Sequence, residues 1–497
     1  MSWSLFLPLM IPFAAAALAV LGPRAGFEAR WISVGGSALH LAAAINLAVV
    51  VAGEGVVAAQ MGGWAAPVGV TLAADALAAI MVLAVAFMGL AVAVYALADI
   101  DRRRASAHWH ALYQLLLAGA SGAFLTGDLF NLYVWFEVML IASFGLLVIG
   151  GDRAQIDGGV KYVALNLVAT LCFLVAVGLI HGQTGTLNMA DLSVKIAERP
   201  SAALDAASVL LFAAFAAKAG FFPLFFWLPA AYHTPPMAVT AIFAAVLTKA
   251  GVYAIFRVFT LIFPESPALD ALLWIAIATM VTGVIGAGAH TDARRILSFH
   301  IVSQIGYMAL GLALATPLAI AGAIVYMVHN IVVKANLILI AGVQRRMTGA
   351  HDLVKAGGLY AAAPLLAFLF FVSAMAMAGV PPLSGFWGKL ALAQASVSAE
   401  AWAALAATLG VGLFTLYSMT KIWLLGYLSP HASGRAHAVK ALPRGARLAL
   451  MGPVAALAAT SAALGLNPGP LLEAAGTAAA QLLDPTAYVA AVLGAHG

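Results

Sequence analysis

Along this chain, apolar stretches of about 20 residues follow one another almost without interruption, parted by short polar or Gly/Pro-bearing segments. They lack the polar face that a period of 3.6 leaves on the helices of a soluble domain. About 20 apolar residues carry a helix across the roughly 30 Å hydrocarbon core, where backbone groups are satisfied only in helices or closed barrels. The pattern predicts an all-α polytopic membrane protein of fourteen spans. They are residues 5–21, 32–51, 73–97, 110–125, 129–149, 161–180, 204–228, 237–261, 268–290, 295–314, 317–343, 364–392, 402–428 and 448–466. The tail beyond, with Pro468, Pro470 and Pro485, reads as a short flank with room for a surface helix.

Two spans are interrupted. The seventh contains Gly220 and Pro223 after Lys218, and the twelfth contains Pro381 and Pro382 before Lys389. Proline removes a backbone donor and clashes with the preceding turn, so each helix should open there. Interruptions five spans apart predict two five-helix repeats, inverted because each holds an odd number of spans. The expected organisation is residues 1–109 for helices 1–3, 110–263 for the first repeat, 264–428 for the second, and 429–497 for helix 14 and the tail.

Composition sharpens this. Of 497 residues, 64% are hydrophobic and 9% charged, against about 25% charged in soluble domains. A soluble or disordered chain is excluded. Cys172 is the single cysteine, so there is no internal disulfide or cysteine metal framework. The pI near 9.3 does not indicate nucleic acid, because the basic residues are scattered through short loops rather than gathered on one face. They sort by side instead. Sixteen of the 24 lie in loops after odd-numbered spans, three (Lys195, Arg199, Arg257) after even-numbered ones, and five inside spans. The positive-inside rule then makes odd loops cytoplasmic and puts both termini outside. The first stretch has no basic residue before it, which reads as a span and not a cleaved leader.

The charges inside spans carry the chemistry. Glu137 is the acid deep in a span, whereas Asp75, Asp128, Asp205 and Asp270 fall near span ends, where water is expected. Lys218, Lys249, Lys334 and Lys389 lie deep or at the helix breaks. Each central charge costs roughly 2.5–3.5 kcal/mol on insertion scales, so five cost on the order of 12–17 kcal/mol if additive. Structural ion pairing does not account for them, since four lysines face one glutamate. An ammonium group without a counter-ion in a low-dielectric setting holds its proton less tightly, the property of a proton carrier. Lys421, near a span end, reads equally as a snorkelling side chain. Tyr326, Asn330 and Lys334 form a stripe at i, i+4, i+8, and His329, about 140° around that helix from Lys334, suits a relay through water. Gln114 and Ser121, and Ser303, Gln304 and Tyr307, form polar patches able to hold water. The glycines of residues 283–288 lie within a span with no preceding strand and read as a helix contact, not a nucleotide loop. There is no HExxH, P-loop or CxxC.

Residues 218–229 (Lys-Ala-Gly-Phe-Phe-Pro-Leu-Phe-Phe-Trp-Leu-Pro), His233-Thr-Pro-Pro and Leu-Thr-Lys249-Ala-Gly-Val-Tyr resemble the core of the antiporter-like subunits shared by complex I, membrane-bound hydrogenases and Mrp antiporters. Arg294-Arg295-Ile-Leu-Ser-Phe-His and Ala-Gly-Val-Pro-Pro-Leu-Ser-Gly-Phe-Trp-Gly-Lys389 resemble that family's second repeat. Within the family, residues 127–147 (Gly-Asp-Leu-Phe-Asn-Leu-Tyr-Val-Trp-Phe-Glu and onward) resemble the D subunits of multi-subunit Mrp-type Na+/H+ antiporters. The resemblance implies the 14-helix fold, a functional Glu137, Lys218, Lys249 and Lys389, a prokaryotic inner membrane and other membrane subunits as partners. No cofactor is expected, and no nucleic acid among the partners. Ala230 stands where many relatives carry aspartate, so that position is given no role.

The expected function is proton translocation in a Na+ (or other monovalent cation)/H+ antiporter. Glu137 and Lys218 would form an ion pair that opens and closes. Lys249, His329 and Lys334 would pass protons along the midplane, and Lys389 would reach an exit. The alternatives are a proton-pumping subunit of an NADH:quinone oxidoreductase or membrane-bound hydrogenase, and a non-transporting assembly scaffold. The site of any bound metal or sodium ion is not readable from the sequence.

Overall fold

The computed structural model describes residues 3–22, 27–106, 108–430 and 439–494. Arg24 and Arg435, two of the expected loop charges, lie outside the described residues. Among the described residues, twelve helices are long and apolar enough to cross a membrane, from Trp3–Leu21 to Arg444–Leu466. The other two expected spans are the 17-residue helix Trp109–Leu125 and a broken twelfth span. The latter is two 15-residue helices, Pro364–Ala378 and Ser384–Ser398. The seventh span is broken as well: Ala202–Ala219 stops at Gly220 (φ 84°), and a turn of helix resumes at Trp227–Ala231.

Burial sorts the helices into layers. The most apolar stretches of the eighth (Met237–Leu261), eleventh (Pro317–Thr348) and tenth (Ala293–Leu314) spans are 100%, 94% and 89% buried. Helices apolar all round occupy the centre of a bundle. Trp3–Leu21, Ala29–Glu54, Arg153–Thr184 and Trp402–Leu428 are peripheral and turn apolar side chains outward. The ninth helix, Leu272–Gly288, lies directly on the tenth: a Cβ on Gly283 would collide with the backbone of Ser303, and one on Gly306 would lie 2.6 Å from the Ala276 carbonyl. Small residues at such contacts let helix backbones touch, so the glycine run is a packing surface, as expected.

Several expectations need correction. The sixth and eleventh helices have 32 residues each, about 48 Å at 1.5 Å per residue, longer than the hydrocarbon core. Arg153, Lys161, Arg345 and Arg346, expected in loops, therefore sit on helix ends that overshoot the bilayer at the basic end of the bundle. At the opposite end, strands Val57–Gln60 and Thr71–Ala74 form an antiparallel hairpin, and helix Met189–Glu198 lies beside it, none of it foreseen. The tail is not a flank. Helix Gly469–Leu483 packs on the third, eighth and eleventh helices, with Ala475 and Ala478 fully buried, and helix Thr486–Leu493 packs on the hairpin.

That tail changes the standing of two charges. Arg257, counted as a loop residue, lies within the eighth helix, 3% exposed. It donates to Asp75 at 2.6 Å, and Asp75 is fully buried rather than open to water. Tyr488 from the tail lies 4.9 Å from the guanidinium, and Gln481 accepts from the Ala76 N–H at 2.9 Å. The tail seals the end of the third helix, and a buried charge pair is tolerated because each member finds its partner there.

Candidate proton-transfer site

Glu137 projects from the fifth helix, Leu129–Val148, whose start is fixed by the Asp128 side chain accepting from the Asn131 N–H. Lys218 occupies the last turn of Ala202–Ala219, where the negative end of the helix dipole favours a cation. The expected direct ion pair between them is not formed. Thr170 of the sixth helix stands between: its hydroxyl accepts from Lys218 Nζ at 3.1 Å and donates to Glu137 Oε1 at 2.7 Å. The Phe136 ring lies 5.1 Å from the same ammonium, a cation–π contact. Ammonium, hydroxyl and carboxylate form a three-member chain; its reverse, with Thr170 donating to Lys218, exists only when Lys218 is neutral and Glu137 protonated.

The remaining candidates form a second group on the central helices. Lys249 is fully buried and donates to the Ala244 carbonyl of its own helix at 2.6 Å. Lys334 is fully buried, and its Nζ has no hydrogen-bond partner among the described residues. His329 Nδ1 bonds the Ser384 hydroxyl at 2.8 Å, Ser384 bonds Ser461 at 2.9 Å, and His329 Nε2 is unpartnered among the described residues. Lys389 donates to the carbonyls of Met377 and Ala378 at 3.2 and 2.8 Å. It thereby satisfies the free C-terminal carbonyls of the first half of the broken twelfth span. The charges of Lys249, Lys334 and Lys389 act on His329, and those of Lys249 and Lys389 on Lys334. This group is not linked to Glu137 and Lys218 by direct hydrogen bonds among the described residues.

The breaks follow one plan. Gly220 and Gly379 both adopt the left-handed region, at φ 84° and 88°, which favours glycine. Each break places a lysine against the C-terminal end of a half-helix. At the seventh span the Phe222 N–H freed by the break donates to Thr279 of the ninth helix at 2.9 Å. Irregular backbone at membrane depth is tolerated in this way, satisfied by protein.

Thr170 and His300 were not singled out from sequence. His300, fully buried on the tenth helix with both ring nitrogens unpartnered among the described residues, feels Lys334 and Lys389. The signal for Thr170 was present: Tyr162, Asn166 and Thr170 repeat on the sixth span the i, i+4, i+8 spacing of Tyr326, Asn330 and Lys334 on the eleventh. Lys421, left open from sequence, donates to the Gly288 and His290 carbonyls at 2.8 and 2.7 Å and caps the ninth helix. At the basic end a cavity of about 420 Å³ is lined by His233, Thr234, His290, Asp292, Arg294 and Arg295. Beside it, burial and then the nearby Arg294 and Arg345 push His351 down to about 3.

A bundle with two broken membrane helices, a glutamate–lysine relay and a separate interior group of lysines and histidines is the architecture of an ion-translocating membrane subunit. Residues 126–415 match the family described as NADH:quinone oxidoreductase/Mrp antiporter, TM, and the chain belongs to that family. It is 43% identical, over 490 residues and 98% of each chain, to the D subunit of the Na(+)/H(+) antiporter of Alkalihalophilus pseudofirmus. Its fold matches a chain in the Mrp complex from Dietzia sp. DQ12-45-1b with a TM-score of 0.90 and 34% identity, covering 99% of this chain and 100% of that one. It also matches a chain of respiratory complex I from Thermus thermophilus, with a TM-score of 0.84 and 26% identity, covering 96% and 99%.

Proposed function

We propose that this chain is the proton-carrying, D-type subunit of a multi-subunit Na+/H+ antiporter in a prokaryotic inner membrane, with its basic loops in the cytoplasm and both termini outside. Residues 110–263 and 264–428 are its two inverted repeats, each built around one broken helix. The observation that carries the reading is the Glu137–Thr170–Lys218 chain, beside the buried group of Lys249, Lys334, His329 and Lys389. Glu137 holds the Lys218 ammonium while the relay is closed. When the carboxylate withdraws, the ammonium loses its counter-charge and releases its proton. Lys249, Lys334 and His329 hand protons along the midplane, and Lys389 delivers them to the exit. Sodium, which needs several oxygen ligands, is assigned to another subunit, since Glu137 is the one carboxylate at this depth among the described residues.

The test is Na+-dependent collapse of a preset pH gradient in vesicles that carry the whole complex. Glu137→Ala should abolish the exchange while the complex still assembles; undiminished exchange would refute the relay. The likeness to a complex I chain supports a second reading, a redox-driven proton pump. Flavin or iron–sulfur subunits in the purified complex would favour it.

A further inference from the structure

We propose that the interface of the second and fourth helices is a hydrated half-channel, open at the basic end and closed at mid-membrane on His40, which accepts protons there. It is separate from the lysine group, and its hydration does not rest on the function proposed above.

Ser33, Ser37 and His40 lie at i, i+4, i+7 on Ala29–Glu54, and His110, Gln114 and Ser121 at i, i+4, i+11 on Trp109–Leu125. These spacings put each set on one helix face, and the two faces meet. Gln114 Nε2 donates to the Ser33 carbonyl at 2.8 Å and to the Ser37 hydroxyl at 2.9 Å, and His40 Nε2 bonds the Ser121 hydroxyl at 3.0 Å. All six residues are at most 5% exposed. Yet His110 Nδ1, Gln114 Oε1 and His40 Nδ1, at three successive depths, have no partner among the described residues. Buried polar atoms are costly to leave unpaired, and a polar site with several such groups holds water. Gly36, on the same stretch, lets the first helix pack close: a Cβ there would meet Ala15 Cβ at 2.4 Å.

The track has one mouth. A cavity of about 420 Å³ at the basic end is lined by Arg30, Arg102 and His110. From His110 to Ser121, eleven residues rise about 16 Å, half of the roughly 30 Å core. Beyond His40 the same face carries Ala44, Leu47 and Val51, all buried and apolar, so nothing continues outward. The first helix, Trp3–Leu21, has no ionisable residue, and those of the third, Tyr95 and Asp99, lie near its basic end. On the fourth, His110 belongs to the track and Tyr113 donates to the Gly89 carbonyl. Among the described residues, His40 is therefore the one group at the inner end of the track suited to take a proton.

The experiment uses the whole complex in membrane vesicles of both orientations, with Cys172→Ser in this chain. Ser37→Cys and Ala44→Cys are compared for labelling by a membrane-impermeant thiol reagent, and Arg102→Cys marks the basic face. Ser37→Cys should label from the Arg102 side at least about tenfold faster than Ala44→Cys, because thiol reactivity follows water access. Equal slow rates, or labelling from the opposite face, would overturn the half-channel. Separately, His40→Gln, which cannot titrate but keeps a hydrogen-bond partner for Ser121, should slow Na+-driven proton exchange by at least about tenfold. An unchanged rate with assembled complex would remove the proton role from His40.

Discussion

Thr170 has the smallest side chain in the Glu137–Lys218 relay, and its hydroxyl makes both contacts. Hydrogen bonds to charged groups contribute about 1.5–3 kcal/mol each. Thr170→Val, nearly equal in volume, should therefore slow proton exchange by about tenfold or more, while Thr170→Ser, which keeps the hydroxyl, should stay near the parent rate. Gradient-collapse assays on the two variants separate chemistry from packing. Lys421 makes the contrasting case. It caps carbonyls at the end of the ninth helix, so Lys421→Met should lower the thermal unfolding temperature of the purified complex yet leave exchange per assembled complex close to normal. Sequence exposed the charged members of the site because a charge in an apolar run is conspicuous. Thr170 and His300 escaped because threonine is common in membrane helices and histidine in a motif reads as generic. Only the repeated spacing of Tyr162, Asn166 and Thr170 against Tyr326, Asn330 and Lys334 marked the former.

Helices with proline-bearing breaks were legible to within a few residues, because a 20-residue apolar run and a Gly/Pro interruption are both local signals. What satisfies a break is not local. The Phe222 N–H is taken by Thr279, 57 positions away, and Thr279→Val should destabilise the seventh span by about 1–3 kcal/mol, read as a lower unfolding temperature. The loop that follows the eleventh helix holds His351, whose folded form stays neutral down to about 3. Its unfolded form protonates near 6.5. The stability this contributes is therefore complete above about 6.5 and is lost progressively as pH falls from there toward 3. His351→Gln should flatten that part of the stability–pH profile of the purified complex. The hairpin at residues 57–74 was missed for a different reason: its short, Ala-rich strands alternate weakly, and the distant tail packs on it.

Across the whole molecule, the largest departure from expectation concerns Asp75 and Arg257. Each sits near the end of its helix in sequence, which ordinarily means water, but the third helix, the eighth helix and the tail converge to bury both. Removing one partner leaves an uncompensated buried charge, so Arg257→Met should cost about 3–5 kcal/mol, while the double variant Arg257→Met/Asp75→Leu should recover much of the loss. Thermal unfolding of the three proteins tests this. The same convergence bears on how the protein is made. Synthesis runs from the N-terminus, so Asp75 and Arg257 are threaded into the membrane long before Tyr488 and Gln481 exist to cover them. Until the closing residues emerge, the nascent chain displays an ill-sheltered charge pair at that end of the bundle, and a copy halted after the fourteenth helix displays it permanently. That end of the bundle is therefore closed by helices made after all fourteen spans.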